Sequence, residues 1–393
     1  MKNTDRPFDV VVVGGGLVGA SFALALAGAN AAVALVDPQS PPQRLPPDTW
    51  DGRVYALSPG NAAWLDAVGV WASLPALRMA RVESMRIFGD QPPARLEFSA
   101  YDAGLRELAW IVENNLLQVE LWSALQAAGH VTLFSPARCA AIEWGRDHAA
   151  LTLGDGQTLR ARLIVGADGA DSWIREQAGI SCTSHAYAQT GVVANFACER
   201  PHHGTALQWF RADGVLALLP LPGERVSTVW SAPDERAREL LAASGDVLVK
   251  DVEEASGLVL GKLQLITPPA GFPLKRQRVD RLVEPRVALI GDAAHNVHPL
   301  AGQGVNLGFR DARELAAVLA GRGARSDCGD YALLRRYERA RKEDIAALEL
   351  ATDGLEKLFA SRAVWVAGLR NLGLSLVDSL LPLKNMLVRH AVA

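Results

Sequence analysis

The stretch VVVVGGGLVGASFALALAGANAAVALVDP, residues 10–38, decides the fold. Val10 to Val13 is an unbroken β-branched run, the pattern of a strand covered on both faces. Three glycines follow, then an apolar helical segment, then a second apolar strand ending in Asp37. Strand, helix and strand in this order imply a parallel sheet with a right-handed crossover. Gly14, Gly16 and Gly19 fall as GxGxxG at the strand-to-helix turn. Glycines there allow a tight turn and close backbone approach, so a pyrophosphate can rest on the helix N-terminus. Asp37 stands where a carboxylate can accept hydrogen bonds from a ribose hydroxyl. GxGxxG alone also suits a glycine-rich turn in an unrelated α/β protein; the ordered strand, helix, strand and acid favour the nucleotide.

Two further strands deliver acids to turns. In LIVGADGADSWIRE (163–176), Asp168 and Gly169 precede a helix with Asp171 or Ser172 as N-cap. In IGDAAHNVHPLAGQG (290–304), a strand delivers Asp292 to a loop ending at Gly302 and Gly304. A helix follows, with Ala312, Leu315, Val318 and Leu319 on one face. Its positive end points at whatever lies above the two glycines. A nicotinamide cofactor needs only the first loop. FAD is longer and must be held at both ends. The first loop would take the ADP half and Asp292 the ribityl hydroxyls. The Gly302–Gly304 helix start would stabilise negative charge at the flavin N1–C2=O edge.

The rest of the chain fits an enzyme of that kind. Its 393 residues suggest two or three domains. Hydrophobic content of 49% and charged content of 21% are ordinary for a soluble protein, and a net charge of −3 gives no case for nucleic acid. Cys139, Cys182, Cys198 and Cys328 show no CxxC spacing, which argues against structural zinc and a dithiol pair and suits a reducing cytosol. There is no signal-peptide pattern and no apolar run long enough to span a bilayer. Residues 114–129 read as a helix, Asp155-Gly156 as a hairpin turn, and 190–230 as an antiparallel sheet. From Tyr331 the chain reads as two or three helices.

With GGGLVG, GADG and GDAAHNVHPLAGQG in this order, the sequence resembles the class A FAD-dependent aromatic hydroxylases, and most closely their ubiquinone-biosynthesis branch. DGRVYALSPGN (51–61), LAWIVENNLLQVELW (108–122) and the C-terminal helices carry the likeness over nearly the whole chain. The resemblance implies a mixed α/β fold: a Rossmann-like, para-hydroxybenzoate-hydroxylase-like FAD domain, an inserted antiparallel β-sheet substrate domain and C-terminal helices. The expected FAD domain is discontinuous, over 1–75, 101–182 and 278–330; the substrate domain takes 76–100 and 183–277, and 331–393 is helical.

Carried over by position, Gly14, Gly16, Gly19 and Asp37 would hold the ADP moiety, and Arg53 would lie near the pyrophosphate and flavin. Gln118 would lie near the ribityl phosphate, and Asp168 with Gly169 near FAD and the reductant. Asp292, Pro299, Gly302 and Gly304 would line the ribityl chain and ring. Relatives more often carry Glu at position 37 and Thr at position 296, where this chain has Asp37 and Asn296. The implied cycle uses NADPH or NADH, then molecular oxygen, and hydroxylates a prenylated phenol through a flavin C4a-hydroperoxide.

No metal is implied. His295 and His298 are read as hydrogen-bonded to loop backbone, since carboxylates at suitable spacing are missing. No catalytic residue is assigned. Trp209, Phe210 and residues 216–221 either floor a ring pocket or form plain sheet core. Residues 355–393, apolar with five basic residues against two acids, read either as a peripheral membrane helix or as helices packed on the core or a partner. A prenylated substrate makes a membrane surface or a quinone-biosynthesis complex the expected partner of a cytoplasmic enzyme. The rival readings are a hydroxylase of another aromatic metabolite, a same-fold flavin reductase and a non-catalytic scaffold subunit.

Overall fold

The computed structural model describes residues 7–29, 31–89, 95–211, 213–296, 303–323 and 326–360. A mainly parallel sheet is built around the opening unit. Strand Phe8–Val13 lies between Val33–Val36 and Thr158–Gly166, parallel to both. Val131–Phe134 and Val287–Leu289 extend it on either side, again in parallel. Val11, Val12, Val33 and Leu35 are fully buried, as a strand covered on both faces requires. Helices Leu17–Gly28 and Gln303–Ala320 pack together on this sheet. Gly308 lets them approach: a Cβ there would stand 2.6 Å from Val18 Cγ2 and 3.2 Å from Gly291 Cα. Cys139–Trp144 and Ala149–Leu153 add an antiparallel extension to Thr158–Gly166, turning at Asp155-Gly156.

A second sheet of nine strands runs through Cys182–Cys198, Arg225–Pro233, Gly214–Leu221 and Thr205–Arg211. These pair antiparallel; Ser84–Phe88 then joins Thr205–Arg211 in parallel, because it arrives from an earlier segment and not through a hairpin. Helices Asp234–Ala242 and Gly245–Ala255 cover one face, burying Val192, Leu216, Leu218 and Trp230 with Leu240 and Leu248. The opposite face meets a three-stranded sheet of Val54–Leu57, Ala80–Val82 and Ala109–Glu113. Helix Tyr331–Ala360 packs on Gln303–Ala320, and its Tyr337 hydroxyl donates to Leu289 O at 2.8 Å. One helix fills the described part of the tail where two or three are expected; residues 361–393 lie outside the described residues.

Candidate active site

The glycine loop is shaped by its neighbours. Gly14 has φ +106, and a Cβ on it would meet Ala167 O at 2.2 Å. A Cβ on Gly19 would meet Gly14 O at 2.0 Å, so the helix begins hard against the strand. Gly15 is fixed from three directions. Its N–H donates to Asp37 Oδ2 at 2.6 Å, its carbonyl accepts Trp122 Nε1 at 2.8 Å, and a Cβ would meet Trp122 Cζ2 at 2.5 Å. Gly16 differs: no atom lies within 4 Å of its would-be Cβ. It is the N-cap of Leu17–Gly28, with no side-chain cap and no acid in the first turn among the described residues. An uncapped, otherwise buried helix start facing open space is a seat for an anion.

Asp37 uses Oδ1 for Gln39 N at 2.7 Å as well as Oδ2 for Gly15 N. Each oxygen keeps a lone pair for a ribose hydroxyl. Gln118 is half-buried one helical turn before Trp122, on the face turned to the glycine loop.

The second and third motifs are locked to each other. Asp168 accepts Ser172 Oγ at 2.5 Å and Ile174 N at 3.0 Å, and Ser172 caps the helix Trp173–Gln177. Burial nevertheless pushes the Asp168 carboxyl above the ordinary range, against those hydrogen bonds. Gly169 follows at φ +82. Arg175, buried, donates to Ala293 O at 3.1 Å and Ala170 O at 3.0 Å, bridging GADG to GDAA. Asp171 carries Lys275, at 2.8 Å, from the second sheet.

Asp292 itself is open to solvent, yet the protein mass around it raises its carboxyl above the ordinary range, against the pull of His295 and Arg53. Tyr55 stands in the same field: burial pushes its hydroxyl up to about 12, Arg53 opposes, and Asp292 and Asp51 add to the rise. Arg53 is exposed and lies between two rings, 5.3 Å from the Tyr55 centroid and 5.1 Å from that of Phe272. Its backbone is set by Asp51, which receives Arg53 N at 2.9 Å and Asn115 N at 2.8 Å; Asp51 N donates to buried Glu113 at 2.7 Å.

His295 departs from the sequence expectation. Its Nε2 bonds Asp311 Oδ2 at 2.6 Å, a carboxylate sixteen residues on, and not loop backbone. Asp311 also accepts Gly291 N at 3.0 Å and Arg341 Nε at 2.8 Å. Burial raises its carboxyl, but His295 and Arg341 outweigh that and hold it below the ordinary range. Gly304 lies in the first turn of the Gln303–Ala320 helix with nothing within 4 Å of its would-be Cβ. Pro299, Gly302 and His298 lie outside the described residues.

The sheet divides the residues read as a pocket floor. Directly paired residues share a face, so Trp209, Leu216 and Leu218 go to the helix-covered core; Trp209 stacks on Phe88 at 5.1 Å. Phe210, Ala217 and Leu219 take the other face. Val193, Val229 and Ala217 form one row there, beside Phe272, Gly191, Ser231 and Val215.

These residues fit FAD: an open glycine seat at a helix start, an acid at the second strand, and a second acid at the other end beside an arginine. An FAD binding domain family model matches residues 7–352. The chain is 37% identical over 391 residues to the ubiquinone hydroxylase UbiL of Rhodospirillum rubrum, covering 99% of this chain and 90% of that protein. The chain belongs to the FAD-dependent aromatic hydroxylases. The hydroxylase is also 34% identical over 392 residues to the 3-demethoxyubiquinol 3-hydroxylase of Escherichia coli, covering 99% of each. It is 32% identical over 440 residues to the mouse mitochondrial ubiquinone biosynthesis monooxygenase COQ6, covering 99% of this chain and 92% of that one. Among solved structures it shares its fold with PqsL, a probable FAD-dependent monooxygenase from Pseudomonas aeruginosa, at TM-score 0.78 and 24% identity, covering 94% of this chain and 100% of that one.

Trp122, Arg175, Asp311 and Arg341 are absent from the sequence-derived site. A tryptophan one turn after Gln118 is a weak signal for the first. Nothing local marks the others.

Proposed function

We propose that this hydroxylase uses FAD, NADPH or NADH, and molecular oxygen to hydroxylate a ring carbon of a polyprenylated phenol in ubiquinone biosynthesis. The observation that carries this reading is the pairing of the Arg53–Asp292 corner with an uncharged strip of the second sheet. Phe272, on that strip, lies against Arg53, and Val193, Val215, Ala217 and Val229 continue it. A phenol ring fits such a surface. The names of its relatives support the ubiquinone assignment.

When bound, FAD supplies the oxygen activation. The chain positions it. Gly14, Gly16, Gly19 and Asp37 hold the ADP half, with Gln118 toward the phosphates. Asp168 and Gly169 brace the middle. Asp292, Pro299, Gly302 and Gly304 take the ribityl and ring end, where the helix start stabilises negative charge. This reading divides the chain as the sequence does, into a discontinuous FAD-binding unit, an inserted sheet and a helical tail. Among the described residues no helix is long and apolar enough to cross a membrane. A prenyl tail brings the enzyme to the membrane surface or to a lipid-carrying complex.

The test is oxygen-isotope labelling. Purified protein with FAD, NADPH, ¹⁸O₂ and a prenylated phenol should place one labelled atom on the ring. NADPH oxidation with no label in the product would instead mean a reductase, and failure to bind flavin a scaffold.

A further inference from the structure

Asn195 lies in strand Cys182–Cys198 of the second sheet and is fully buried. Its neighbours Ala194 and Phe196 belong to the helix-covered core, so alternation turns Asn195 to the other face, with Val193. Its backbone N–H donates to Thr267 Oγ1 at 2.9 Å, and its carbonyl accepts Ile266 N at 2.8 Å. The side chain then leaves the sheet. Its Nδ2 donates to Asp51 O at 2.8 Å, across 144 residues of chain. A carbonyl can only accept, so the amide nitrogen is the atom that faces it.

Asp51 is the residue that sets Arg53. Its Oδ1 receives Arg53 N, its Oδ2 receives Asn115 N, and its own N–H goes to Glu113. Glu113 and Asn115 belong to strand Ala109–Glu113 and the helix that follows it. That leaves the carbonyl, and Asn195 takes it from the side of the second sheet. Thr267 backs the same turn, its Oγ1 standing 3.6 Å from a would-be Cβ on Gly52. The second sheet reaches this segment by two cation–ring contacts as well. Arg53 lies 5.1 Å from the Phe272 ring, and Arg225 lies 5.3 Å from the Trp50 ring. Arg53 is exposed. An exposed cation–ring contact holds less firmly than a buried hydrogen bond whose loss strands a carbonyl.

We propose that Asn195 is a positioning residue, which places Arg53 at the flavin end by anchoring Asp51 to the second sheet. The inference rests on the reading that Arg53 meets the cofactor. Val193, on the same face two residues earlier, belongs to the uncharged strip. One strand thus carries both the strip and the anchor. Asn195 sets the reach from the ring seat to the arginine.

The test is a double-mutant cycle on the full-length protein. FAD dissociation constants come from flavin fluorescence titration, which needs no turnover. They are measured for wild type, Arg53→Ala, Asn195→Leu and the double variant. The second readout is kcat/KM with NADPH and a prenylated phenol. Leucine keeps the branching of asparagine and lacks the donor. Asn195→Ala is carried in parallel, with thermal melts as the folding check. Ser227→Ala is the control. Ser227 is directly opposed to Asn195 and as deeply buried, and its Oγ has no hydrogen-bond partner among the described residues. Arg53→Ala should weaken FAD binding about tenfold or more, and Asn195→Leu about threefold or more. The double variant should stay within about twofold of Arg53→Ala, and Ser227→Ala within about twofold of wild type. Losses that multiply in the double variant overturn the proposal, as does a loss in Ser227→Ala equal to that in Asn195→Leu. Asn195 variants that bind FAD and turn over like wild type, beside an impaired Arg53→Ala, overturn it and leave the reading of Arg53 standing. An Arg53→Ala protein that matches wild type in both readouts overturns that reading and the proposal together.

Discussion

His295 Nε2 and Asp311 Oδ2 lie 2.6 Å apart, both buried, and the same oxygen receives the Gly291 amide. One carboxylate on a helix therefore fixes both ends of the segment that presents Asp292. Arg341, from the last described helix, completes the charge balance with Asp344 at 2.6 Å.

Asp311→Asn should cost about 1.5–3 kcal/mol, because a neutral oxygen replaces the charged acceptor of His295 and Arg341 while Arg341 keeps Asp344. The acid limb of stability should change as well. The Asp311 carboxyl is held below its ordinary value, so its contribution is complete above the unfolded carboxylate pKa of about 4 and is lost as pH falls through the lower folded value. Chemical unfolding of wild type between pH 7 and pH 3 should show this loss, and Asp311→Asn should flatten it.

Gly16→Ala separates cofactor binding from folding. Its Cβ meets no protein atom within 4 Å, so stability without cofactor should stay within about 0.5–1 kcal/mol of wild type. FAD affinity should fall at least tenfold because the methyl enters the phosphate seat. Flavin fluorescence titration checks the second value, and thermal melts without flavin check the first.

Trp122→Phe removes the indole donor from Gly15 O and keeps most of the packing. A lost hydrogen bond of this kind is worth about 0.5–1.5 kcal/mol. FAD binding should weaken by about two- to tenfold in the same titration, with no change in substrate KM. Gly15→Ala, whose Cβ would collide with the Trp122 ring at 2.5 Å, should do more damage.

Ala217→Phe and Trp209→Ala probe opposite faces of one sheet. The first should raise substrate KM at least tenfold with flavin affinity intact. The second opens the edge of the helix-covered core against Phe88, should cost about 1–3 kcal/mol because Trp209 is only partly buried, and should leave KM unchanged. The reverse pattern would place the substrate on the wrong face of the sheet.

What the sequence made legible was what is local. The glycine loop, Asp37 and the Ser172 cap each depend on a few neighbouring residues, and their spacing carries the geometry. The sequence offers Asp171 and Ser172 equally as caps; the Ser172 hydroxyl takes that role by accepting Arg175 N. The partners of the site residues were not legible. Asp311 reaches His295 only because helix Gln303–Ala320 folds back over Gly291, and Arg341 comes from a different helix. Arg175 bridges two motifs more than a hundred residues apart. Alternation along Thr205–Arg211 shows that Trp209 and Phe210 point opposite ways; which way faces the flavin end requires the pairing of Gly191 with Phe272.

The central claim is ring hydroxylation of a prenylated phenol, and quinone intermediates in cells test it most directly. Mass spectra would be taken from cells lacking this gene, with and without a complementing copy. The account predicts accumulation of a prenylated phenol short of one ring oxygen, cleared by the wild-type copy and not by Gly16→Ala. An unchanged quinone pool in a strain without a second ring hydroxylase would contradict it.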